Sequence, residues 1–279
     1  AYVEYPDGKL MLRKAEPEGM EFLRSSDFNS RFINTAVGPD GCLYVTDMYR
    51  GIIQDAPWYN EGNREFARKT GVNKHIQMGR IWRIRHKDHR PFNEKPQMLD
   101  ESTEALVRHL QNPIGWWRDT VQKLILLRED RDQVIPLLEG LFRFTQSPLP
   151  RMHALWTLDG MKALTSEIKR EALADRSPEL RRAMVQIIES HLPQEIDLLL
   201  LLQKERDPRV VEQLIFTLGT IDDPKAEEMI QSLASNHLVD EGVMLATAVS
   251  LWGKRDLPFV KEVKNKKAFE KISKDQRGA

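Results

Sequence analysis

The feature that most constrains the fold is a helix-capping residue placed directly before proline, which recurs along the second half of the chain. Four of these pairs stand at intervals of 35, 30 and 30 residues: Asn112-Pro113, Ser147-Pro148, Ser177-Pro178 and Asp207-Pro208. Ser, Asp and Asn favour the N-cap of a helix, and proline favours its first position. A further pair is Asp223-Pro224. This recurrence predicts an array of similar helical units.

The residues after each proline show apolar spacing of three and four, which is typical of amphipathic helices. A fifth copy without the proline begins at Asp240. Preceding helices are predicted around 104–110, 134–144, 167–174, 196–203 and 226–234. The pattern Asp-Pro-x-Val/Leu with a nearby arginine resembles the HEAT family of α-solenoids, in which each hairpin buries its apolar face on its neighbours. We therefore expect about five HEAT-like hairpins.

The first ninety residues carry turn signals and short apolar runs instead. Two turns are predicted, at Pro6-Asp7-Gly8 and Pro39-Asp40-Gly41, with strands at 9–13, 32–37, 42–46 and 81–84. Three or four strands without a covering helix do not close a core, whereas propellers need several four-stranded blades. This region therefore predicts one or two blades of a larger β-structure. Either the chain is a fragment, or other polypeptide completes it.

The sequence thus predicts a multidomain α+β protein, a partial β-propeller followed by an α-solenoid. The predicted regions are 1–92 for the propeller part, with a long inserted loop at 51–78, then 93–253 for the repeats and 254–279 for a basic tail or linker. That tail carries nine basic and four acidic residues.

Charge and cysteine content exclude several classes of partner and site. Lys and Arg number 42 and Asp and Glu number 42, so no overall field favours nucleic acid. No apolar run is long enough to span a bilayer. Cys42 is the single cysteine, which excludes an intrachain disulfide and a Cys-x-x-Cys metal or haem site. We predict no metal site, since the histidines are scattered and His86 and His89 lack a carboxylate cluster beyond Asp88.

A family resemblance rests on two motifs of the β-rich region. Arg31 precedes Ala36-Val37-Gly38-Pro39-Asp40-Gly41-x-Leu43-Tyr44-Val45-x-Asp47, and Gly79-Arg80-Ile81-Trp82-Arg83-Ile84 follows. Together they resemble the last blade of sorbosone and soluble glucose dehydrogenase propellers. The run from Asp47 to Gln54 and the segment Trp116-Trp117-Arg118 are similar to one subgroup. It comprises the "membrane-bound dehydrogenase" proteins of planctomycetes and verrucomicrobia, in which HEAT repeats and often a c-type haem domain follow the propeller.

The resemblance implies a cofactor, partners and a location. In that family, pyrroloquinoline quinone binds in the propeller cavity, oxidises a sugar or polyol and passes electrons to a c-type cytochrome. Haem would belong to a domain absent from this chain. The remaining propeller blades, in the same or another polypeptide, would be partners. The family also implies a periplasmic or cell-envelope location.

Three residues are candidate quinone ligands by this resemblance. Arginine forks suit the carboxylates of the quinone. Arg31 matches a cofactor-binding arginine of the family, although the second arginine of the soluble glucose enzymes is Ile33 here. Asp47 and Arg50 follow a strand where propeller loops build sites. Their alternative role is structural, with Asp47 bonded to backbone amides and an arginine paired to it.

Two aromatic residues of the predicted 51–78 loop are candidate substrate ligands. Trp58 and Tyr59 suit a carbohydrate, because apolar sugar faces stack on aromatic rings. The same residues would suit packing against the first helical repeat. No histidine lies in the blade motif, so the base that deprotonates a substrate hydroxyl is expected from a blade outside this chain.

Two functions remain open from the sequence. The leading hypothesis is the C-terminal propeller edge and HEAT region of a quinoprotein-like dehydrogenase, with the HEAT part as scaffold or docking surface. The alternative is a non-catalytic interaction scaffold built from both surfaces.

Overall fold

The computed structural model describes residues 2–4, 11–13, 20–90 and 95–251 of the 279-residue chain. The chain is mixed α/β and divides into two compact units. One, called here the sheet unit, spans 16–127; the other, the helical unit, comprises 1–15 and 128–279. The predicted turn at Pro6-Asp7-Gly8 and the predicted basic tail lie outside the described residues. The predicted boundaries at 92 and 253 stay predictions.

The strands form two antiparallel groups. Strands β1 (Tyr2–Glu4) and β2 (Met11–Arg13) pair with each other. A three-stranded sheet has the order β3-β4-β5, from β3 (Phe32–Val37), β4 (Leu43–Asp47) and β5 (Arg80–Ile84). The strands predicted at 32–37, 42–46 and 81–84 are confirmed within one residue. This sheet is open rather than a barrel, and the propeller assignment stays a prediction.

The turn between β3 and β4 explains why both its glycines are needed. Gly41 has φ +75°, a conformation that side chains with a Cβ adopt at a cost. A Cβ on Gly38 would lie 2.3 Å from the Tyr44 ring. Between them, the Asp40 carboxylate accepts hydrogen bonds from the Cys42 amide and the Tyr44 hydroxyl. The Gly-Pro-Asp-Gly sequence is thus a tightly packed, internally bonded turn.

The 51–78 segment is not the structureless loop that the sequence predicts. It contains α1 (Glu61–Thr70) and two single 3₁₀ turns, Ala56–Trp58 and Val72–Lys74. The Asn60 side chain caps α1 by accepting from the Asn63 amide, and Gly71 ends it in the left-handed region. This helix escapes prediction because its sequence is mostly polar and Ala67 is its single buried residue.

Ten helices follow between residues 95 and 251, the described part of this region, and they confirm the predicted helix positions. They form five successive pairs: α2 (Thr103–His109) and α3 (Gly115–Leu126), α4 (Arg131–Phe144) and α5 (Pro148–Gly160), α6 (Ser166–Leu173) and α7 (Pro178–Glu189), α8 (Ile196–Leu199) and α9 (Pro208–Gly219), α10 (Pro224–Asn236) and α11 (Glu241–Ser250). A 3₁₀ turn, Leu200–Leu202, extends α8. Among the described residues, no helix combines the length and apolarity needed to cross a membrane.

Four of the five capping pairs begin helices as predicted. In three of them the N-cap side chain accepts a backbone N–H of the first turn: Ser177, Asp207 and Asp223. The prediction is wrong for Asn112-Pro113, because α3 begins two residues later, at Gly115, with Ile114 as its N-cap. The Asn112 side chain instead accepts the Ile114 amide and forms the turn before the helix.

The helical unit combines an apolar interior with ion pairs between successive hairpins. Helices α5, α7, α9 and α11 pack side by side in that order, and Leu155, Met184 and Leu214 are fully buried. Arg181 at the start of α7 pairs with Glu205 before α9 at 2.6 Å, and Arg151 at the start of α5 pairs with Asp175 before α7. This arrangement is consistent with a solenoid. The HEAT assignment stays a prediction.

The first helical pair belongs to the sheet unit. Trp117 of α3 is 1% exposed, and its indole N–H donates to the Pro39 carbonyl at 2.8 Å. Its ring stacks on His109 of α2 at 4.9 Å. A buried tryptophan therefore anchors both helices to the turn that joins β3 and β4.

Candidate functional site

The candidate site is built around Asp47, the last residue of β4. Side chains alternate along a strand, so Val45 and Asp47 point to the same face of the sheet. Both are buried, at 1% and 2% exposure. A buried carboxylate is costly unless it is well hydrogen-bonded, which makes its partners decisive.

Five donors surround the Asp47 carboxylate. They are the Arg31 amide at 2.7 Å, the Tyr49 amide at 3.0 Å, the Arg80 Nε at 3.0 Å, the Trp82 Nε1 at 3.2 Å and the Ser30 hydroxyl at 3.3 Å. The antiparallel register places Arg80 opposite Asp47 and Trp82 opposite Val45. The sheet therefore assembles the site from three strands and their flanking residues.

These donors hold Asp47 ionised. Burial alone would raise the pKa of Asp47, but the hydrogen bonds from the Arg31 amide, the Trp82 indole and the Arg80 guanidinium outweigh it and lower the pKa far below its ordinary value. The carboxylate is thus a fixed negative charge at neutral pH. It cannot serve as a proton acceptor there, because a group with so low a pKa is too weak a base.

Arg80 completes the site as a cation held between two aromatic rings. Its guanidinium carbon lies 4.0 Å from the centre of the Tyr49 ring and 4.7 Å from that of the Trp82 ring. A second carboxylate, that of Asp27, lies 3.6 Å from Arg80. Stacking and ion pairing fix this arginine although its side chain is 39% exposed.

Tyr49 adopts an unusual backbone conformation, with φ +50°. Non-glycine residues rarely occupy this region, and such residues cluster at functional sites. The conformation lets the Tyr49 amide reach Asp47 while its ring covers Arg80. We call these residues together the Asp47 cluster: Asp27, Ser30, Arg31, Asp47, Tyr49, Arg80 and Trp82.

Arg31, the foremost predicted quinone ligand, lies in this cluster, but its guanidinium bonds the backbone. Nη1 donates to the carbonyls of Phe28 at 2.7 Å and Ser30 at 2.8 Å, and Nη2 donates to that of Gly51 at 2.9 Å. This geometry joins the segment before β3 to the segment after β4. A carboxylate ligand would have to replace these carbonyls, so the cofactor role of Arg31 stays a prediction that this geometry does not favour.

Arg50 is the more available of the two predicted arginines. Its Nε donates to the Ile52 carbonyl at 3.1 Å. Within the described part of the chain, no hydrogen bond or ion pair uses its two terminal nitrogens. Arg50 is half-buried and directly precedes Gly51, whose carbonyl Arg31 holds. It keeps donors for an external anion.

The two predicted substrate aromatics lie in different environments. Trp58 ends a 3₁₀ turn and is 81% exposed. Tyr59 packs on a small buried cluster formed by Ile52, Ala67 and Val72. Trp58 therefore offers a free ring face, whereas the Tyr59 ring stabilises the attachment of α1. Their role in sugar binding stays a prediction.

As arranged, the Asp47 cluster does not form a ready receptor for the quinone carboxylates. Two cations, Arg31 and Arg80, are balanced by Asp27 and Asp47, and Arg31 is committed to carbonyls. The cluster is suited to holding the ends of three strands in one geometry. We derive no catalytic step through a quinone from it.

The sequence indicates Arg31 and Asp47 as candidate quinone ligands, but it does not indicate the roles of Arg80 and Trp82. Both residues stand in the Gly79–Ile84 motif, yet their contacts with Asp47 span 33 and 35 residues of sequence. The alternation of side chains along a strand is the signal that could have indicated them. Once β4 and β5 are paired, Arg80 and Trp82, which are two residues apart, lie on the same face of the sheet as Asp47.

Comparison with known proteins gives one family match. Residues 2–88 are similar to a family described as "Domain of unknown function (DUF7133)". The match contains all five strands and α1 and ends before α2, so it covers less than half of the chain. No curated protein matches the sequence. The similarity thus concerns the part of the chain that carries the Asp47 cluster.

Proposed function

We propose that this chain is the propeller edge and helical scaffold of a quinoprotein-like sugar or polyol dehydrogenase. Its sheet unit would complete a larger β-structure, and its helical unit would serve as scaffold or docking surface. The dehydrogenase class and its c-type cytochrome partner rest on the motif resemblance. The proposal that the sheet is incomplete is supported by the geometry of its edges.

The observation that carries the proposal is a three-stranded sheet whose outer strands, β3 and β5, pair with no further strand among residues 2–4, 11–13, 20–90 and 95–251. Strand β3 exposes Ile33 at 56% and Val37 at 48%, and β5 exposes Ile81 at 68% and Trp82 at 43%. Natural sheets protect their edges with charges, prolines or covering segments, because unpaired N–H and C=O groups recruit further strands. These edges offer apolar side chains beside such groups, which supports pairing with additional β-polypeptide.

In the described part of the chain, neither edge strand carries an unpaired charge. Strand β3 contains no charged residue. The arginines of β5 are both engaged within the sheet unit, Arg80 with Asp47 at 3.0 Å and Arg83 with Asp40 at 2.6 Å.

The chemistry of the proposed enzyme would come from elsewhere in the complete protein. A bound quinone would take a hydride from the substrate carbon, and a base would accept the hydroxyl proton. Asp47 is unsuited to that role, because a carboxylate with so low a pKa is too weak a base to accept a proton at neutral pH. This chain would contribute the mouth of the cavity through Arg50 and Trp58.

A second candidate, a non-catalytic interaction scaffold, is favoured by one observation. Arg31 gives its guanidinium donors to three carbonyls of its own unit rather than presenting them to a ligand. In this alternative the same open edges and helices act as docking surfaces, and the Asp47 cluster is purely structural.

Sedimentation velocity tests the open edges. The chain should self-associate reversibly, and Ile33→Lys and Ile81→Lys should each reduce the association by placing a charge at an edge. Leu245→Lys is the matched control. Leu245 is 63% exposed on α11, which belongs to the helical unit and is far in sequence from both edge strands. A wild-type chain that stays monomeric at every concentration would remove the incomplete-sheet argument.

Calorimetric titration with pyrroloquinoline quinone separates the two candidates. A complete dehydrogenase should bind it, and Arg50→Ala should weaken binding by about 1.5 to 3 kcal/mol, the typical value of a charged hydrogen bond. The exposed Arg24 supplies the control variant Arg24→Ala. A complete protein without quinone affinity would favour the scaffold. Unchanged affinity in Arg50→Ala would place the cofactor away from this segment.

A further inference from the structure

The helical stack ends, as far as the structure describes it, at the pair α10 and α11. Helices α5, α7 and α9 are each followed along the stack by another helix of the same kind, whereas α11 is the last helix described. Solenoids require a capping segment at each end, because the terminal repeat otherwise exposes the face that a successor would bury. Equivalent positions in successive helices identify this face.

The fourth residue after the N-cap of α5 and α7 points toward the next helical pair. It is Arg151 in α5 and Arg181 in α7, and these arginines pair with Asp175 and Glu205, which lie shortly before α7 and α9. In α11 the equivalent residue is Met244, which is half-buried. The residue that would meet a following pair is thus apolar.

The eighth residue after the same N-caps lies one helical turn further along this face. In α5, α7 and α9 it is Leu155, Val185 and Ile215, and each of them is 0% exposed. In α11 it is Ala248, which is exposed. Since Ala248 is apolar as well, its exposure follows from the position of α11 at the end of the described stack.

Helix α10 shows the same loss of cover at a charged residue. The fourth residue after the N-cap of α6 is Lys169, which is 5% exposed and pairs with Glu195 of the next pair. The equivalent residue of α10 is Glu227, which is half-buried and forms no ion pair within the described part of the chain. We call Glu227, Met244 and Ala248 together the end face.

The chain that follows the end face carries the complementary charge. Residues 220–251 contain six carboxylates and one lysine, a net charge of −5. The basic tail, residues 254–279, contains nine basic and four acidic residues, a net charge of +5. It also contains Leu257, Val260 and Val263, three apolar residues at intervals of three. Its composition thus matches an acidic surface with an apolar centre.

We propose that the basic tail binds back onto the end face and caps the helical unit. Its lysines neutralise Glu227 and the exposed Glu228 beside it, and its apolar side chains cover Met244 and Ala248. The tail begins three residues after Leu251, so its binding is intramolecular and has a high effective concentration. The proposal depends neither on the open sheet nor on the dehydrogenase chemistry.

Paramagnetic relaxation enhancement in the full chain tests this contact. A nitroxide label on Asn265→Cys, in the middle of the tail, should broaden the amide signals of α10 and α11 and leave those of α4 and α5 sharp. The native Cys42 is 1% exposed and should not take the label. A mixture of labelled chains and isotope-enriched unlabelled chains separates contacts within one chain from contacts between chains. The enhancement should fall in about 1 M salt, where the screening length is about 3 Å.

Matched charge variants isolate the end face. Glu227→Lys should lower the enhancement about twofold or more, the effect expected from losing one exposed ion pair. Ala248→Lys should also lower it, by placing a like charge at the centre of the face. Glu129→Lys makes the same charge change at an exposed site before α4 and should leave the enhancement unchanged.

Three results would each overturn the proposal. They are sharp α10 and α11 signals in the labelled wild-type background, broadening that arises only between chains, and equal enhancement with and without Glu227→Lys. Sharp signals would mean that the end face is left for polypeptide other than the tail. Circular dichroism of each variant checks that the helices remain folded. None of these outcomes affects the sedimentation test of the sheet edges.

Discussion

The two units of the molecule are stabilised by different kinds of interaction. In the helical unit, apolar side chains such as Leu155, Met184 and Leu214 are fully buried between helices, and ion pairs join the hairpins at their ends. In the sheet unit, buried or half-buried carboxylates, Asp47 and Asp40, gather donors from several segments. The helical unit is stabilised by apolar burial. The sheet unit is stabilised by two carboxylates, Asp47 and Asp40, that each accept several hydrogen bonds and are called here its polar hubs.

The difference teaches how each unit depends on its surroundings. A helix satisfies its backbone hydrogen bonds internally, so a stack of helices needs only to bury its apolar stripes. A sheet leaves edge groups unpaired until another strand arrives. The polar hubs of the sheet unit set the geometry of three strands precisely, yet they leave Ile33 and Ile81 exposed.

The largest expected effect comes from removing the main hub. Asp47→Ala should destabilise the sheet unit by about 3 to 5 kcal/mol, because it leaves the Arg31 and Tyr49 amides and the Trp82 indole without their acceptor, and each such loss costs about 1 to 3 kcal/mol. Hydrogen exchange should accelerate in β3, β4 and β5 and stay unchanged in α7 and α9. Asp55→Ala, at an exposed carboxylate, is the control. Uniform acceleration in both units would contradict the separation of the two.

A core truncation should produce the reverse pattern. Leu214→Ala should cost about 2 to 5 kcal/mol in the helical unit, since Leu214 is fully buried in α9 and its loss leaves a cavity. Chemical denaturation followed by far-ultraviolet circular dichroism measures this cost. Leu245→Ala, at an exposed leucine of α11, should change it little. Similar losses in both variants would mean that α9 does not lie at the centre of the stack.

The turn glycine offers a smaller effect on the sheet unit. Gly41→Ala should cost about 1 to 2 kcal/mol, because Gly41 has φ +75° and a Cβ there would also crowd His89 at 3.3 Å. Gly62→Ala is an informative control. Gly62 lies in α1, and a Cβ there would lie 3.5 Å from Asn60 Oδ1, which is an ordinary contact, so alanine should stabilise that helix slightly. Thermal melting should therefore move in opposite directions in the two variants.

Acid should weaken the sheet unit through Asp40. Burial raises the pKa of Asp40, but the Cys42 amide and the Arg83 guanidinium outweigh it and lower the pKa to about 2. Because the pKa of Asp40 is lower in the folded chain than in the unfolded chain, the ionised carboxylate contributes its full stabilisation above about pH 4. This contribution is lost as the pH falls toward 2. Asp40→Asn should cost about 1 kcal/mol at neutral pH and flatten this decline. An equally steep decline in the variant would assign it to other carboxylates.

The sequence predicted the helices well because their signals are local. A capping residue followed by proline acts within one turn, so Ser177, Asp207 and Asp223 mark helix starts without tertiary information. Asn112 shows the limit of the signal, because the same pair can form a turn before a helix. Helix α1 was missed because its sequence is polar and its stability comes from caps at both ends.

The candidate site was only partly predictable because its contacts are distant in sequence. The position of Asp47 at a strand end and its alternative structural role both follow from local sequence. Its pairing with Arg80 and Trp82 depends on the register of β4 and β5, which a single strand pattern does not determine. The carbonyl contacts of Arg31 depend on the path of the segment around Gly51, which no local motif encodes.

The hydrogen bond from Trp117 to Pro39 has a practical consequence for dividing the gene. A fusion junction or protease site placed near residue 92 would separate the indole donor from its carbonyl and uncover a tryptophan that is otherwise 1% exposed. Recombination that exchanges the β-rich module between homologues would have to carry α2 and α3 along with it. The compact units divide at two points, between Ala15 and Glu16 and between Leu127 and Arg128, so a workable exchange would carry residues 16–127 as one piece.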